Sequence, residues 1–299
     1  MTRPICALAV SALMTNTLPL PHRDLPTAGH VDHHVIVGRA RCGGVTWLLT
    51  DAPELIEVKL TERSIVGRSV RGVRPDERPW GLACVGAGDL WTLASARTLA
   101  RLSSSGDLLS RTKLRQPRLN LFGVGEWLVL QHPASTAGAP LLGAARLADV
   151  NRVQPWPGPT VRATSSSRLD LPSALVACGL GDGGRLPCWL TTQSRITVSD
   201  GASAHTAVVQ PAFLSSTAVD RVVPLWDVAL SSSTVWVLTS AAFGEGGHRV
   251  GGRLTRSNLQ GDDLGGAEVR PRPRLIVSAT DRSAVVLTSA GSLVSVEVP

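Results

Sequence analysis

The chain has 299 residues, 43% of them hydrophobic, with 29 glycines, 20 prolines and a net charge of +7. This composition excludes a disordered chain and supplies enough apolar material for a sizeable core. The positive charge does not single out a polyanion partner: every basic residue except Lys59 and Lys113 is an arginine, and the arginines are scattered, with RTKLR at 111–115 and RPRPR at 270–274 the densest groups.

At the N-terminus Arg3 precedes an apolar run, Ile5–Met14. Residues 1–14 therefore read as a secretory signal peptide or, failing that, a buried strand; the run is too short to span a bilayer. The first reading places the protein in a secreted or periplasmic setting, the second in the cytoplasm, and residues 15–299 form a single domain in either case. HVDHH follows at 30–34. On a strand His30, Asp32 and His34 would share one face, with imidazole and carboxylate donors suited to a divalent metal. The competing reading is a solvated lead-in to the first strand, with no cofactor.

Further along, a tryptophan recurs within a short apolar run: VTWLLTD at Trp47, DLWTLAS at Trp91, GEWLVLQ at Trp127, PCWLTTQ at Trp189 and TVWVLTS at Trp236, with AVVLTSA carrying Val286 in that place. The interval is about 48 residues. A second apolar run lies upstream of each line, as in Trp80–Cys84 and Leu119–Val124, and a third downstream, as in Leu99–Leu102 and Ile196–Val198. In several copies a fourth follows: Ser64–Val70, Leu108–Leu114 and Thr206–Val209. Turn residues punctuate the runs. Each copy thus predicts a four-stranded antiparallel meander, and runs such as WLLT, apolar at successive positions, predict strands covered on both faces. One such sheet cannot bury both faces alone; sheets stacked in a circle can, and the tryptophan of each second strand then reads as a large, flat filler for the space between blades.

The remaining motifs point to structure rather than chemistry. Gly179-x-Gly181-x-x-Gly184 carries the letters of a dinucleotide fingerprint, but a strand rather than a helix follows it, so it reads as a hairpin turn. Cys178 and Cys188 flank that turn and are disulfide candidates, which leaves Cys42 and Cys84 as the other pair once Cys6 departs with a signal. The Pro/Ser-rich stretch 153–170 reads as an insertion, and EGGHRVGG (245–252) and DDLGG (262–266) as solvent loops. The last copy ends after its third strand, so Thr17–Ala28 is expected to supply the missing one.

The repeat, clearest over residues 80–115, resembles the NHL repeat and the wider group of six-bladed propellers that includes gluconolactonase-like and virginiamycin-lyase-like proteins. The expectation is an all-β, six-bladed β-propeller of four-stranded antiparallel blades, closed by its N-terminal segment, with five or seven blades as variants. The enzymes of that group hold a divalent metal with polar side chains around the axis. Here the predicted inner strands offer only Asn120 and Asp227, and no nucleophile motif occurs. The leading reading is therefore a non-catalytic binding or scaffold protein that presents loops to a protein or glycan. A metal-assisted lyase or hydrolase at the central channel is the second, and a binder of polyanions through a basic face the third.

Overall fold

The computed structural model describes residues 22–25, 31, 34–86, 88–132, 142–155, 176–181, 185–190, 196–200, 206–209, 225–240, 252–260, 262–270 and 272–297. They contain six four-stranded antiparallel sheets and no helix. Blade one is β2 (Ile36–Cys42), β3 (Val45–Thr50), β4 (Glu54–Lys59) and β5 (Ser64–Ser69). Blade two is β6 (Trp80–Val85), β7 (Asp89–Ser95), β8 (Thr98–Leu102) and β9 (Leu108–Lys113). Blade three is β10 (Asn120–Val124), β11 (Trp127–Gln131), β12 (Leu142–Arg146) and β13 (Asp149–Pro155). Blade four is β14 (Val176–Cys178), β15 (Arg185–Leu190), β16 (Ile196–Asp200) and β17 (Thr206–Val209). Blade five is β18 (Leu225–Leu230), β19 (Thr234–Ser240), β20 (Gly252–Asn258) and β21 (Asp263–Val269).

Blade six is β22 (Pro273–Ala279), β23 (Ser283–Thr288) and β24 (Leu293–Glu297), and it is completed from the other end of the chain. Strand β1 (His22–Leu25) pairs antiparallel with β24, His22 opposite Val296 and Leu25 opposite Leu293. The ring is thus closed by the segment expected to close it. Joining the two chain ends in one sheet leaves no blade with three strands and covers the outer edge of β24.

Packing explains why the strands are apolar at consecutive positions. Each core cluster straddles two sheets. Trp236, Leu238 and Leu254 of blade five meet Ile276, Val286 and Val294 of blade six, all 0% exposed. Leu93 and Leu99 of blade two meet Leu121, Leu128 and Leu130 of blade three in the same way. A strand between two such interfaces has no solvent face, so alternation disappears and both sides count towards burial.

The sheets converge tightly at the hub. A Cβ on Gly38 would come within 2.6 Å of the Gly81 carbonyl carbon, and one on Gly179 within 1.8 Å of the Val228 oxygen. Inner strands of neighbouring blades therefore touch backbone to backbone, which only glycine permits at these positions. Leu180 continues the contact: its N–H donates to Val228 O at 2.9 Å and its oxygen accepts from Leu230 N–H at 2.8 Å.

Three sequence readings need correction. DDLGG is not a solvent loop, because Asp263–Gly266 forms the first half of β21, laddered against β20. Val153–Pro155 belongs to β13, so the Pro/Ser-rich insertion begins later than expected. Trp127 is not a filler between blades: it opens β11 beside the turn, only part buried, with the Arg146 guanidinium 4.8 Å from its ring centre. Trp47, Trp91 and Trp236 do fill inter-blade space, at 5%, 9% and 0% exposure.

Candidate functional site

The inner strands β2, β6, β10, β14, β18 and β22 surround the axis. They enclose a cavity of about 740 Å³ to which all six blades contribute, through residues such as Arg39, Leu82, Phe122, Gly179, Asp227 and Leu275. Val35, Arg272 and Ser289 stand at its mouth, before the inner strands begin or beside the loop between second and third strands. A second chamber of about 50 Å³ lies beyond, near Arg41, Cys84 and Gly181. Arg39, Phe122 and Gly179 line both chambers and form the waist between them. The channel is accordingly a cup with a narrow floor.

One wall of the cup is polar. Arg39 Nη2 donates to Asp227 Oδ1 at 2.8 Å, and Nη1 donates to Asp227 Oδ2 and to the Ile276 carbonyl. The Ile276 N–H in turn donates to Asp227 Oδ2 at 2.6 Å. The side chains of Arg39 and Asp227 are 11% and 8% exposed. Blades one, five and six are thereby tied by a two-pronged ion pair, the geometry in which arginine and carboxylate bind most strongly. Both carboxylate oxygens are occupied, so Asp227 serves the ring rather than offering itself to a ligand. The opposite wall, Leu82, Leu121 and Phe122, is apolar. Asn120 lies at the mouth end of that wall; its Oδ1 accepts from the Leu121 N–H at 2.9 Å.

Outside the cup, polar clamps join neighbouring blades. Asp281, in the β22–β23 turn, accepts from Ser231 Oγ at 2.5 Å, from Ser232 Oγ and from Ser233 N–H at 2.9 Å. Burial opposes its ionisation, but these three donors hold its carboxyl well below the usual range. Trp236 Nε1 donates to the adjacent Thr280 carbonyl at 2.8 Å. Between blades one and two, Arg111 donates to both oxygens of Glu77 at 2.7 Å and lowers that carboxyl from 4.5 to about 2, against a smaller opposing effect of burial.

Of the residues singled out from the sequence as metal ligands, His34 is exposed, with Nδ1 3.9 Å from Asp51 Oδ1, while its carbonyl accepts from Arg274. His30 and Asp32 lie outside the described residues. Val31 between them is 2% exposed and packs on Gly291, its N–H donating to that residue's oxygen at 3.2 Å. Among the described residues no three His, Cys, Asp or Glu side chains gather as a metal cluster, and no helix is long and apolar enough to cross a membrane.

Cys42 and Cys84 form a disulfide that staples the far ends of β2 and β6. In blade four Cys178 and Cys188 face each other in the β14–β15 ladder. The next pair along is hydrogen-bonded, Gly179 N–H to Pro187 O at 2.9 Å. The cysteines therefore occupy a non-hydrogen-bonded pair, the closer of the two kinds.

Sequence reasoning named Asn120 and Asp227 as inner-strand polar residues and missed Arg39. Its partner is 188 residues away, and the only local signal was a pair of arginines, Arg39 and Arg41, in an otherwise apolar inner strand.

No family model and no curated protein matches the chain. Many solved structures do, at the level of fold. YCF48 from Cyanidioschyzon merolae superposes with a TM-score of 0.51 at 9% identity, covering 92% of this chain and 98% of that one. A YCF48 bound to D1 peptide gives 0.50 at 15% identity over 92% and 83%. A catalytically inactive virginiamycin B lyase from Staphylococcus aureus with quinupristin gives 0.53 at 11% identity over 92% and 83%. A chain of the mitotic checkpoint complex gives 0.52 at 12% identity over 99% and 100%. The chain has the β-propeller fold in common with them.

Proposed function

We propose that this propeller is a non-catalytic binding protein that takes a segment of a protein partner at the channel mouth. The observation that carries the reading is the state of Asp227. Among the described residues it is the only carboxylate in the cup lining, and Arg39 and the Ile276 N–H use both of its oxygens. What remains toward the mouth is a mixed surface: an apolar wall, the Asn120 amide and the arginines of the rim. Such a concave surface suits an extended segment better than it suits metal-assisted chemistry. Among the structural neighbours, one YCF48 is bound to a peptide, which agrees with this use of the fold. We further propose that residues 1–14 are a secretion signal, consistent with the Cys42–Cys84 disulfide.

The test is affinity capture with the full chain and with a Phe122→Arg variant that fills the cup, followed by reconstitution with the purified captured protein. The expected result is a direct complex whose affinity falls at least tenfold in the variant, with unchanged folding by circular dichroism. A complex indifferent to Phe122→Arg overturns the reading. So does stoichiometric tightly bound metal with lyase or hydrolase turnover lost in that variant, which would establish the enzymatic alternative.

A further inference from the structure

In each blade the turn between the second and third strands lies on the mouth face, beside the residues that lead into the inner strands. On blade two these are the turn between β7 and β8, at Ala96–Arg97, and the links before β6 and after β9. Backbone hydrogen bonds knit them together. Arg78 N–H donates to Ala94 O at 3.1 Å, Leu114 N–H to Arg97 O at 2.8 Å and Arg118 N–H to Ala96 O at 2.7 Å. Lys113 stands opposite Thr98 in the ladder. The Asn151 side chain of blade three holds the next piece, accepting from Arg115 N–H and donating to the Lys113 carbonyl, both at 3.2 Å. Arg78, Arg97, Lys113 and Arg115 thus come from three segments of the chain to one turn, and all four are exposed.

Among the described residues no carboxylate pairs with any of the four. Elsewhere on the surface arginines are answered: Arg68 by Glu57, Arg71 by Asp107, Arg101 by Asp89 and Arg270 by Glu268. Of the two acids just before Arg78, Glu77 is taken by Arg111 and by Arg74 N–H, and the exposed Asp76 adds its attraction to the same Arg111. Beneath the patch Arg118, 4% exposed, donates through Nη1 to Gln116 Oε1 at 3.3 Å, the Pro117 carbonyl at 3.4 Å and His132 Nδ1 at 2.7 Å. None of these acceptors carries a negative charge, so Arg118 adds to the positive field above it. The result is a group of like charges that repel one another in the free protein.

The patch is continuous with the cup. The link that carries Arg78 runs on through Trp80 to Leu82, and the one that carries Arg115 runs on through Leu119, 39% exposed, to Asn120 and Phe122 of the cup lining. Trp80 Nε1 donates to Leu119 O at 2.8 Å and fixes the two side by side. We infer that the segment docking at the mouth is acidic: an apolar residue enters the cup against Leu82, Leu121 and Phe122, and carboxylates near it in the partner's sequence lie over Arg78, Arg97, Lys113 and Arg115. The inference rests on the proposed binding role and specifies the chemistry of the partner. The β7–β8 turn stands one to two strand spacings outward of β6, about 5–10 Å, which an extended chain covers in about two to three residues. The acids are therefore expected at that separation from the apolar anchor. Their arrival relieves the repulsion within the patch, and the patch steers the encounter.

The test is fluorescence anisotropy of rhodamine-labelled, C-terminally amidated peptides with the full chain. Glu-Asp-Gly-Leu-Gly-Asp-Glu places acids on both sides of a leucine, and Gln-Asn-Gly-Leu-Gly-Asn-Gln carries none. The expected result is saturable binding of the acidic peptide, at least tenfold tighter than the neutral one, weakening several-fold as salt rises from about 0.05 M to about 0.5 M. Arg97→Glu with Arg115→Glu should weaken it at least tenfold, and Arg97→Gln with Arg115→Gln by a smaller factor, with unchanged circular dichroism. Arg63→Glu with Arg282→Glu makes the same change of net charge on the β4–β5 and β22–β23 turns of the opposite face, and should leave the affinity within about twofold. No binding up to about 1 mM peptide overturns the inference, as does equal binding of the neutral peptide or an equal loss in the opposite-face variant. Tighter, patch-dependent binding of a short DNA duplex or of heparin also overturns it, because the patch would then serve a polyanion. A captured partner weakened by Phe122→Arg but not by Arg97→Glu with Arg115→Glu removes this inference and leaves the proposed function. Patch-dependent binding of the acidic peptide, with no captured partner sensitive to Phe122→Arg, removes the proposed function and leaves the acidic preference of this surface.

Discussion

Removing one member of the Arg39–Asp227 pair should cost far more than removing both. Asp227→Ala leaves the Arg39 guanidinium, 11% exposed, without its carboxylate and also strips the acceptor from Ile276 N–H. Leaving a buried charge unpaired costs about 3–5 kcal/mol. The channel wall admits some water, so the lower end is expected. Arg39→Met leaves Asp227, 8% exposed, with only the Ile276 N–H, and should cost about 3 kcal/mol. In the double variant neither charge remains. Its cost reduces to the Ile276 N–H and C=O left without side-chain partners, about 1–3 kcal/mol in all. The coupling energy of the cycle should therefore be about 3 kcal/mol or more, against the near-additivity of independent sites. Urea unfolding of the four proteins, with a common slope, reads it directly. Additive single effects, or an Asp227→Ala cost under about 1 kcal/mol, would refute the claim that this pair ties three blades at the hub.

Three further outcomes follow from the clamps and staples. Asp281→Ala removes the acceptor of the Ser231 and Ser232 hydroxyls and of Ser233 N–H, and should destabilise by about 2–3 kcal/mol in denaturant melts. Glu77 is held at about 2 in the fold against an ordinary 4.5, so its contribution is complete above about 4.5 and is lost as pH falls towards about 2. Wild type should therefore lose on the order of 1–3 kcal/mol more than Glu77→Gln across that window, measured by unfolding at stepped pH. Peptide mapping without reduction should return the Cys42–Cys84 link together with a Cys178–Cys188 link; converting Cys42 and Cys84 to serine together should cost up to about 4 kcal/mol for a closed loop of this length.

The sequence disclosed the strands because a blade is a local object. Each tryptophan run marks a second strand whose partners lie within a few dozen residues, so Trp47, Trp91 and Trp236 fix position and register together. Ring closure was legible from the missing fourth strand after Leu293–Glu297. What stayed hidden depends on the ring as a whole. Arg39 meets Asp227 only when ring closure sets blades one and five on either side of blade six, where both also bond Ile276. Arg118 sits in an Arg-rich stretch that looks solvated, and its burial arises from the inter-blade link. DDLGG was misread because two glycines signal a turn, whereas the ladder that sets Gly266 opposite Thr255 and Asp263 opposite Ser257 imposes a strand regardless of propensity. Trp127 failed as a filler because its place at the start of β11 sets it beside a hairpin end.

The central claim is that partners engage the mouth of the cup rather than the rim of the ring. Val35, 61% exposed at the mouth, and Leu109, 57% exposed on the outer strand β9, offer matched positions for a photo-crosslinker in the full chain. Irradiation with the captured partner should give a strong adduct from position 35 and little or none from position 109. An adduct from position 109 alone would contradict the account.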